Sequence, residues 1–74
     1  MTPRQQQIFS FICGFISTNG YPPSFRQIGD EFGIASPNGV NGHLRALERK
    51  GLIQRDPGIA RGLRIAPLAL AAIH

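Results

Sequence analysis

The sequence predicts a mostly α-helical domain that ends in a small β-hairpin, in the order helix, helix, helix, strand, strand. Three residues suited to the helix N-cap position predict three successive helix starts, namely Thr2, Ser24 and Ser36. Between these starts, apolar residues recur at steps of three and four, which is the period of a half-buried helix. After Gly51 the pattern changes to alternation, which is typical of strands. A chain of 74 residues has the size of one small domain.

The first helix is predicted from Pro3 to residue 18. Thr2 is a suitable N-cap, proline suits the first helical position, and Gln5 completes a capping box. Asn19-Gly20 is expected to end the helix, because glycine readily adopts the left-handed conformation found at helix C-termini. The apolar positions of this helix are expected to form one wide buried stripe, made of Ile8, Phe9, Phe11, Ile12, Phe15 and Ile16.

The second helix is predicted to begin after Ser24, which repeats the capping box with Gln27, and to end at Gly33. The two prolines before it cannot extend a helix backwards, because proline disfavours the α conformation in the preceding residue. A turn of about three residues, 33–35, then leads to the third helix start, and a short turn with glycine between two helices is helix-turn-helix spacing.

The third helix is predicted from Ser36-Pro37 to Gly51, again with an N-cap followed by proline. Val40, Leu44 and Leu47 lie on one face and are expected to point inward. The opposite face is polar and carries small residues. It consists of Asn38, Asn41, Gly42, Arg45 and Arg49.

The last elements are predicted to be two antiparallel strands, within residues 52–55 and 63–65. A loop of about seven residues joins them, from Asp56 to Gly62, and Asp56-Pro57-Gly58 is a turn sequence. A hairpin directly after a helix-turn-helix makes the domain a three-helix winged helix-turn-helix. Its expected extent is residues 1–65, with the helix-turn-helix at about 25–45 and the wing at about 52–65. The apolar residues 66–74 are expected to be a C-terminal tail or the start of a linker.

Composition excludes several function classes. No apolar run approaches the length of a membrane span, and a single cysteine, Cys13, excludes an internal disulfide. We expect a cytoplasmic protein without a metal or a cofactor. An enzyme is disfavoured because the only neighbouring carboxylates, Asp30 and Glu31, diverge by about 100° on a helix and share no site.

Charge distribution points to a polyanionic partner. The chain carries a net charge of +4, and residues 1–44 contribute none of it. Residues 45–74 hold six basic side chains and two acidic ones, Glu48 and Asp56, so this part of the chain carries the whole net charge of +4. A basic surface built by the third helix and the wing fits a nucleic acid. The alternative interpretation is an ordinary solvated helix face, on which Glu48 pairs with Arg45, Arg49 and Lys50.

The polar face of the third helix has the chemistry of DNA readout. A helix fits the major groove when its outer face is narrow and its inner face is anchored. Asn38 and Asn41 are expected to read an adenine edge with both amide atoms. Gly39 and Gly42 weaken the helix relative to alanine, and we expect that they permit a close backbone approach to DNA. Ser36, Thr2 and the helix N-termini suit phosphates.

Several separated motifs make the chain resemble the N-terminal DNA-binding domains of LexA-type repressors, the regulators of the bacterial SOS response. The resemblance covers about residues 2–65. The motifs are Thr2, Arg4-Gln5-Gln6, Gly20 with Pro22-Pro23, Ile28-Gly29, Ser36-Pro37-Asn38, His43-Leu44-Arg45-Ala46-Leu47, Lys50-Gly51-Leu52-Ile53 and Gly58-x-x-Arg61-Gly62-Leu63-Arg64.

The resemblance implies a winged helix-turn-helix that reads one half of a palindromic double-stranded DNA operator. Base contacts are then expected from Ser36, Asn38, Gly39, Asn41 and Gly42, and the wing around Arg61 is expected near phosphates. The full set of expected phosphate contacts is Thr2, Arg4, Arg45, Arg49, Lys50, Arg61 and Arg64. Some family members carry acidic residues where this chain has Asn41-Gly42, so its operator preference is expected to differ from theirs.

The chain departs from the family after Ile65. Family repressors carry a second domain that dimerises and cleaves itself through a Ser-Lys dyad when prompted by RecA. Nothing after Ile65 resembles that domain, and the only lysine is Lys50, so no peptidase activity is expected. A homodimer is expected on the operator or through the absent domain, and RecA is a partner only for a full-length parent. A winged-helix protein-interaction module and a non-specific basic DNA-binding domain remain the alternatives.

Overall fold

The computed structural model describes residues 2–56, 58–59 and 61–67. Three helices come first: α1 (Pro3–Asn19), α2 (Phe25–Phe32) and α3 (Pro37–Arg49). Two strands follow, β1 (Ile53–Arg55) and β2 (Leu63–Ile65). This order confirms the predicted fold class, and every element ends within two residues of its expected position.

Local hydrogen bonds explain the helix starts. Gln5 donates its backbone N–H to Thr2 Oγ1 at 3.2 Å, and Thr2 returns a backbone N–H to Gln5 Oε1 at 3.3 Å. The Ser24–Gln27 pair repeats both bonds, at 3.1 and 2.8 Å. These reciprocal bonds satisfy backbone donors that a helix start otherwise leaves free. Gly33 ends α2 with φ of 66°, a left-handed conformation that glycine adopts without steric cost.

The two strands pair in an antiparallel register in which Gln54 lies opposite Arg64 and Arg55 opposite Leu63. The Asp56 N–H donates to the Gly62 carbonyl at 2.7 Å and closes the wing loop. The predicted hairpin is therefore confirmed, although β1 begins one residue later than Leu52. Pro57, central to the predicted turn, lies outside the described residues.

The core lies where the helices meet the hairpin. It consists of Ile8, Ile12, Ile28, Val40, Leu44, Leu47, Ile53, Leu63, Ile65 and Ala66. The wide buried stripe expected on α1 is narrower than predicted: only Ile8 and Ile12 are fully buried. Phe11 instead packs at the rim, with its ring 5.8 Å from that of Phe15 and 5.7 Å from that of Phe32. These rings meet in a tilted pair and an edge-to-face pair at the edge of the core.

The C-terminal tail is described only at its beginning. Ala66 is buried, and its N–H donates to the Leu52 carbonyl at 3.0 Å. The rest of the predicted tail, residues 68–74, lies outside the described residues. No helix in the described ranges is long and apolar enough to cross a membrane.

Candidate nucleic-acid interface

The start of α3 is held by its N-cap. The backbone N–H of Asn38 donates to Ser36 Oγ at 3.2 Å, and Pro37 occupies the first helical position. Ser36 and Asn38 are both exposed. The cap therefore places an amide side chain in the first exposed turn, next to the positive end of the helix dipole.

The two faces of α3 separate as predicted. Val40 is 3% exposed, and Leu44 and Leu47 are fully buried. The opposite face contains four exposed residues, namely Asn38, Gly42, Arg45 and Arg49. A Cβ atom built on Gly42 would meet no atom within 4 Å, so this glycine opens the face rather than fitting a neighbour.

The structure gives a packing reason for glycine at position 39, which the sequence did not predict. A Cβ atom at this position would lie 2.7 Å from Cγ2 of Ile34, which belongs to the turn between α2 and α3. The missing side chain thus lets the turn pack against α3, and the expected approach of the backbone to DNA stays a prediction. Base contact by Gly39 stays a prediction.

Asn41 lies at the edge of the polar face, beside the wing. Its Oδ1 accepts a hydrogen bond from Nη1 of Arg55, and both groups are partly buried. Arg55 also donates its Nε–H to Glu48 Oε1 at 3.2 Å, with Nη2 at 3.1 Å from the same oxygen. Glu48 therefore pairs with Arg55 of β1, and not with Arg45, Arg49 or Lys50 as the alternative interpretation supposed. Sequence reasoning missed Arg55 as a site residue, because its partners on α3 lie 7 and 14 positions away.

The wing is tied to the loop that precedes α2 through Arg61. Its guanidinium carbon lies 4.8 Å from the centre of the Tyr21 ring. Its Nη1 donates to the Pro22 carbonyl and to Gln27 Oε1, both at 2.8 Å. These contacts hold the charged end of Arg61 beside the helix-turn-helix, and the side chain stays exposed.

Arg64 lies on the exposed face of β2. Its Nε–H donates to Gln54 Oε1 at 2.8 Å across the strand pair, and Nη1 lies 3.3 Å from Asp56 Oδ2. The Arg64 side chain remains 62% exposed. Solvent-exposed ion pairs are weak, typically below about 1 kcal/mol, so Asp56 leaves Arg64 accessible to a stronger anion.

The remaining predicted phosphate contacts fall in two places. Thr2 and Gln5 at the start of α1 line a shallow concavity together with Arg49 and Lys50 at the end of α3. Arg4 lies elsewhere, with its guanidinium carbon 5.5 Å from the centre of the Phe32 ring on α2. The structure thus brings Thr2, Arg49 and Lys50 together, whereas the Arg4 guanidinium packs against α2.

Within the described ranges, the structure contains neither a metal-binding cluster nor a reactive thiol. Within them, no three His, Cys, Asp or Glu side chains lie close enough to hold a metal ion. Burial raises the pKa of the Cys13 thiol on α1 above its ordinary value, since desolvation disfavours the thiolate. Cys13 is therefore in the weakly nucleophilic thiol form at neutral pH.

Comparisons with known proteins agree with this geometry. Residues 1–62 match the family model described as LexA DNA binding domain. The chain is 52% identical over 65 residues to the LexA repressor of Cupriavidus pinatubonensis, covering 88% of this chain and 30% of that protein. It is 47% identical over 74 residues to the LexA repressor of Ralstonia pickettii, covering 100% of this chain and 34% of that protein. It is 55% identical over 64 residues to the LexA repressor of Sorangium cellulosum, covering 86% of this chain and 28% of that protein. The chain therefore spans about a third of the length of the curated relatives it matches.

Proposed function

The chain belongs to the LexA DNA-binding domain family, and from this membership we propose that it reads one half of a palindromic DNA operator in a repressor of the bacterial SOS response. The observation that carries the proposal is the two-faced α3. Its apolar side is buried by Val40, Leu44 and Leu47, whereas its polar side is exposed along the length of the helix. An anchored helix of this kind can enter a major groove about 12 Å wide without losing its place in the fold.

The proposed contacts divide by chemistry. Residues at the start and middle of α3 face base edges, and these are Ser36, Asn38, Gly39, Asn41 and Gly42. Basic and capping residues on three elements face phosphates, and these are Thr2, Arg4, Arg45, Arg49, Lys50, Arg61 and Arg64. Base contacts give sequence preference, whereas phosphate contacts position the domain and make its affinity depend on salt.

We further propose that the repressor's other activities lie outside this chain. A parent about three times as long, like the curated relatives, would supply dimerisation and the response to RecA. The chain itself is proposed to be non-enzymatic and to act in the cytoplasm. As one small domain, it buries only about 600–1,000 Å² on DNA, and it lacks the gain in effective concentration that a linked second copy provides. We therefore expect weak, salt-dependent binding by a monomer.

The test is selection of bound duplexes from a randomised pool, followed by anisotropy titration of the enriched sequence at two salt concentrations. Enrichment of a short motif, often in inverted pairs, is the expected result. Binding with a steep salt dependence but without enrichment would instead indicate a non-specific basic module. Absence of binding at low salt would contradict the proposal and favour a winged helix that docks on a protein.

A further inference from the structure

Arg55 joins the wing to the base-reading helix at one point. Asn41 and Glu48 are seven positions apart on α3 and therefore lie on the same side of the helix, two turns from each other. Arg55 of β1 contacts both, through Nη1 on Asn41 Oδ1 and through Nε and Nη2 on Glu48 Oε1. The Arg55 side chain is only 17% exposed, so the guanidinium is held against α3 rather than extended into solvent.

The direction of the Arg55–Asn41 hydrogen bond follows from chemistry. Arginine carries donors only, so its partner in the Asn41 amide must be the carbonyl oxygen. The Nδ2 amine of Asn41 keeps its two donors, and Arg55 can use neither of them. Oδ1 has a second lone pair, but the positive guanidinium beside it disfavours another donor there, because the hydrogen of that donor carries a partial positive charge.

We propose that Arg55 is a specificity-determining residue that holds Asn41 by its carbonyl oxygen, so that Asn41 reads guanine and rejects adenine. This proposal rests on the proposed function. Adenine presents an acceptor and a donor in the major groove, and a two-bond contact with asparagine needs both amide atoms. Guanine presents acceptors only, at N7 and O6, and these fit an amide that offers only its N–H groups.

The surroundings of Asn41 support this role. Asn41 and Arg55 line one groove between α3 and the wing, together with Phe25, Asp56, Gly58 and Ile59. Glu48 holds the same guanidinium through Nε and Nη2, and this second contact restricts the rotation of its plane. Arg55 contacts no base in this scheme and acts through Asn41, which makes it a positioning residue. The sequence expectation that Asn41 reads adenine with both amide atoms is replaced by this proposal.

The decisive variant is Arg55→Lys, because it keeps the net charge but replaces the planar fork by one ammonium, which cannot hold two partners at once and is expected to stay at the Glu48 carboxylate and leave Asn41 Oδ1 free. Arg26→Lys is the matched control, since it makes the same change on an exposed residue of α2. Thermal unfolding by circular dichroism verifies that each variant is folded. The readout is the base preference at the position that Asn41→Ala makes indifferent, measured by competition between duplexes differing at that base pair.

For the unaltered chain we expect guanine to be preferred at that base pair. Arg55→Lys is expected to raise relative binding to adenine by about 3- to 10-fold, the effect of one regained hydrogen bond, with an unchanged salt dependence. Arg26→Lys is expected to leave the preference as it was, and Arg55→Lys is expected to have no further effect in an Asn41→Ala background. A preference for adenine in the unaltered chain, or the same base preference with and without Arg55→Lys, would overturn the proposal.

A second measurement separates this proposal from the proposed function. In the protein without DNA, the side-chain amide resonances of Asn41 are recorded by NMR with and without Arg55→Lys. A clear shift of these resonances is expected, and unchanged resonances would overturn the contact on which the inference stands. If no duplex is enriched by the unaltered chain, the proposed function fails and base reading by Asn41 fails with it. If a motif is enriched but its preference ignores Arg55→Lys, only the inference fails.

Discussion

Replacing Gly42 by alanine is expected to stabilise the fold and to weaken DNA binding. Gly42 lies inside α3, and a Cβ atom there meets nothing within 4 Å. Glycine in an exposed helix interior costs about 0.5–1 kcal/mol relative to alanine, and the variant recovers this free energy of unfolding. For a domain of this size, that gain corresponds to a rise in Tm of about 3–7 °C.

Gly39→Ala on the same helix is the matched comparison. It gains the same helix propensity, but its Cβ atom would lie 2.7 Å from Cγ2 of Ile34. Ile34 must then shift, and its displacement offsets the gain, since overpacking a filled site costs about 1–3 kcal/mol. We expect Gly39→Ala to melt at the same temperature as the unaltered chain or below it.

The assay combines thermal unfolding by circular dichroism with anisotropy titration on the selected duplex. Gly42→Ala is expected to raise Tm and to lower affinity by about 1 kcal/mol or more, because one added methyl group overfills a close interface. A raised Tm with unchanged affinity would refute the assignment of Gly42 to the DNA-facing surface. An unchanged or lowered Tm would refute the claim that its surroundings are open.

Three substitutions and one chemical modification test other parts of the molecule. Ser36→Ala removes the N-cap of α3 and is expected to cost about 1 kcal/mol of stability, measured by urea unfolding; an unchanged midpoint would contradict the cap. Gly62→Ala is expected to disrupt the wing, because its Cβ atom would collide with the Asp56 carbonyl, and loss of the β2 amide signals in NMR spectra would report it. Arg61→Ala is expected to weaken binding to all duplexes about equally and to reduce the slope of log affinity against log salt concentration by about one; a changed base preference would contradict the proposed phosphate contact. Cys13 is expected to react with iodoacetamide more slowly at pH 8 than a solvent-exposed thiol, and to gain reactivity only as the pH rises through its raised pKa.

The sign of the Cys13 effect on stability follows from the direction of its pKa shift. Burial favours the neutral thiol, so the pKa of Cys13 is higher in the folded chain than in the unfolded chain. Stability linked to this group is therefore complete below the unfolded pKa and is lost as the pH rises through the folded pKa. Near neutral pH, Cys13 is expected to leave the stability independent of pH.

Sequence reasoning anticipated the elements and the exposed face of α3 well, because both depend on near neighbours. The capping boxes at Thr2 and Ser24 join residues three positions apart, and a left-handed helix C-terminus needs only one glycine. It anticipated the core of α1 less well. Periodicity marks which residues face the core, but the volume available there is set by all three helices and the hairpin together.

The sequence alone determined the order of elements, the basic charge of α3 and the wing, and the family of the chain, since each is written in residues that are close together or in motifs of fixed spacing. Only the tertiary structure decided that Arg61 packs on Tyr21 and that Arg55 holds Asn41, contacts that span 40 and 14 positions. Such pairs form when the hairpin folds back against α2 and α3, and no local pattern records how far a side chain reaches across that interface. The function proposed for Asn41 depends on this packing, because its neighbour determines which of its atoms is free to meet a base.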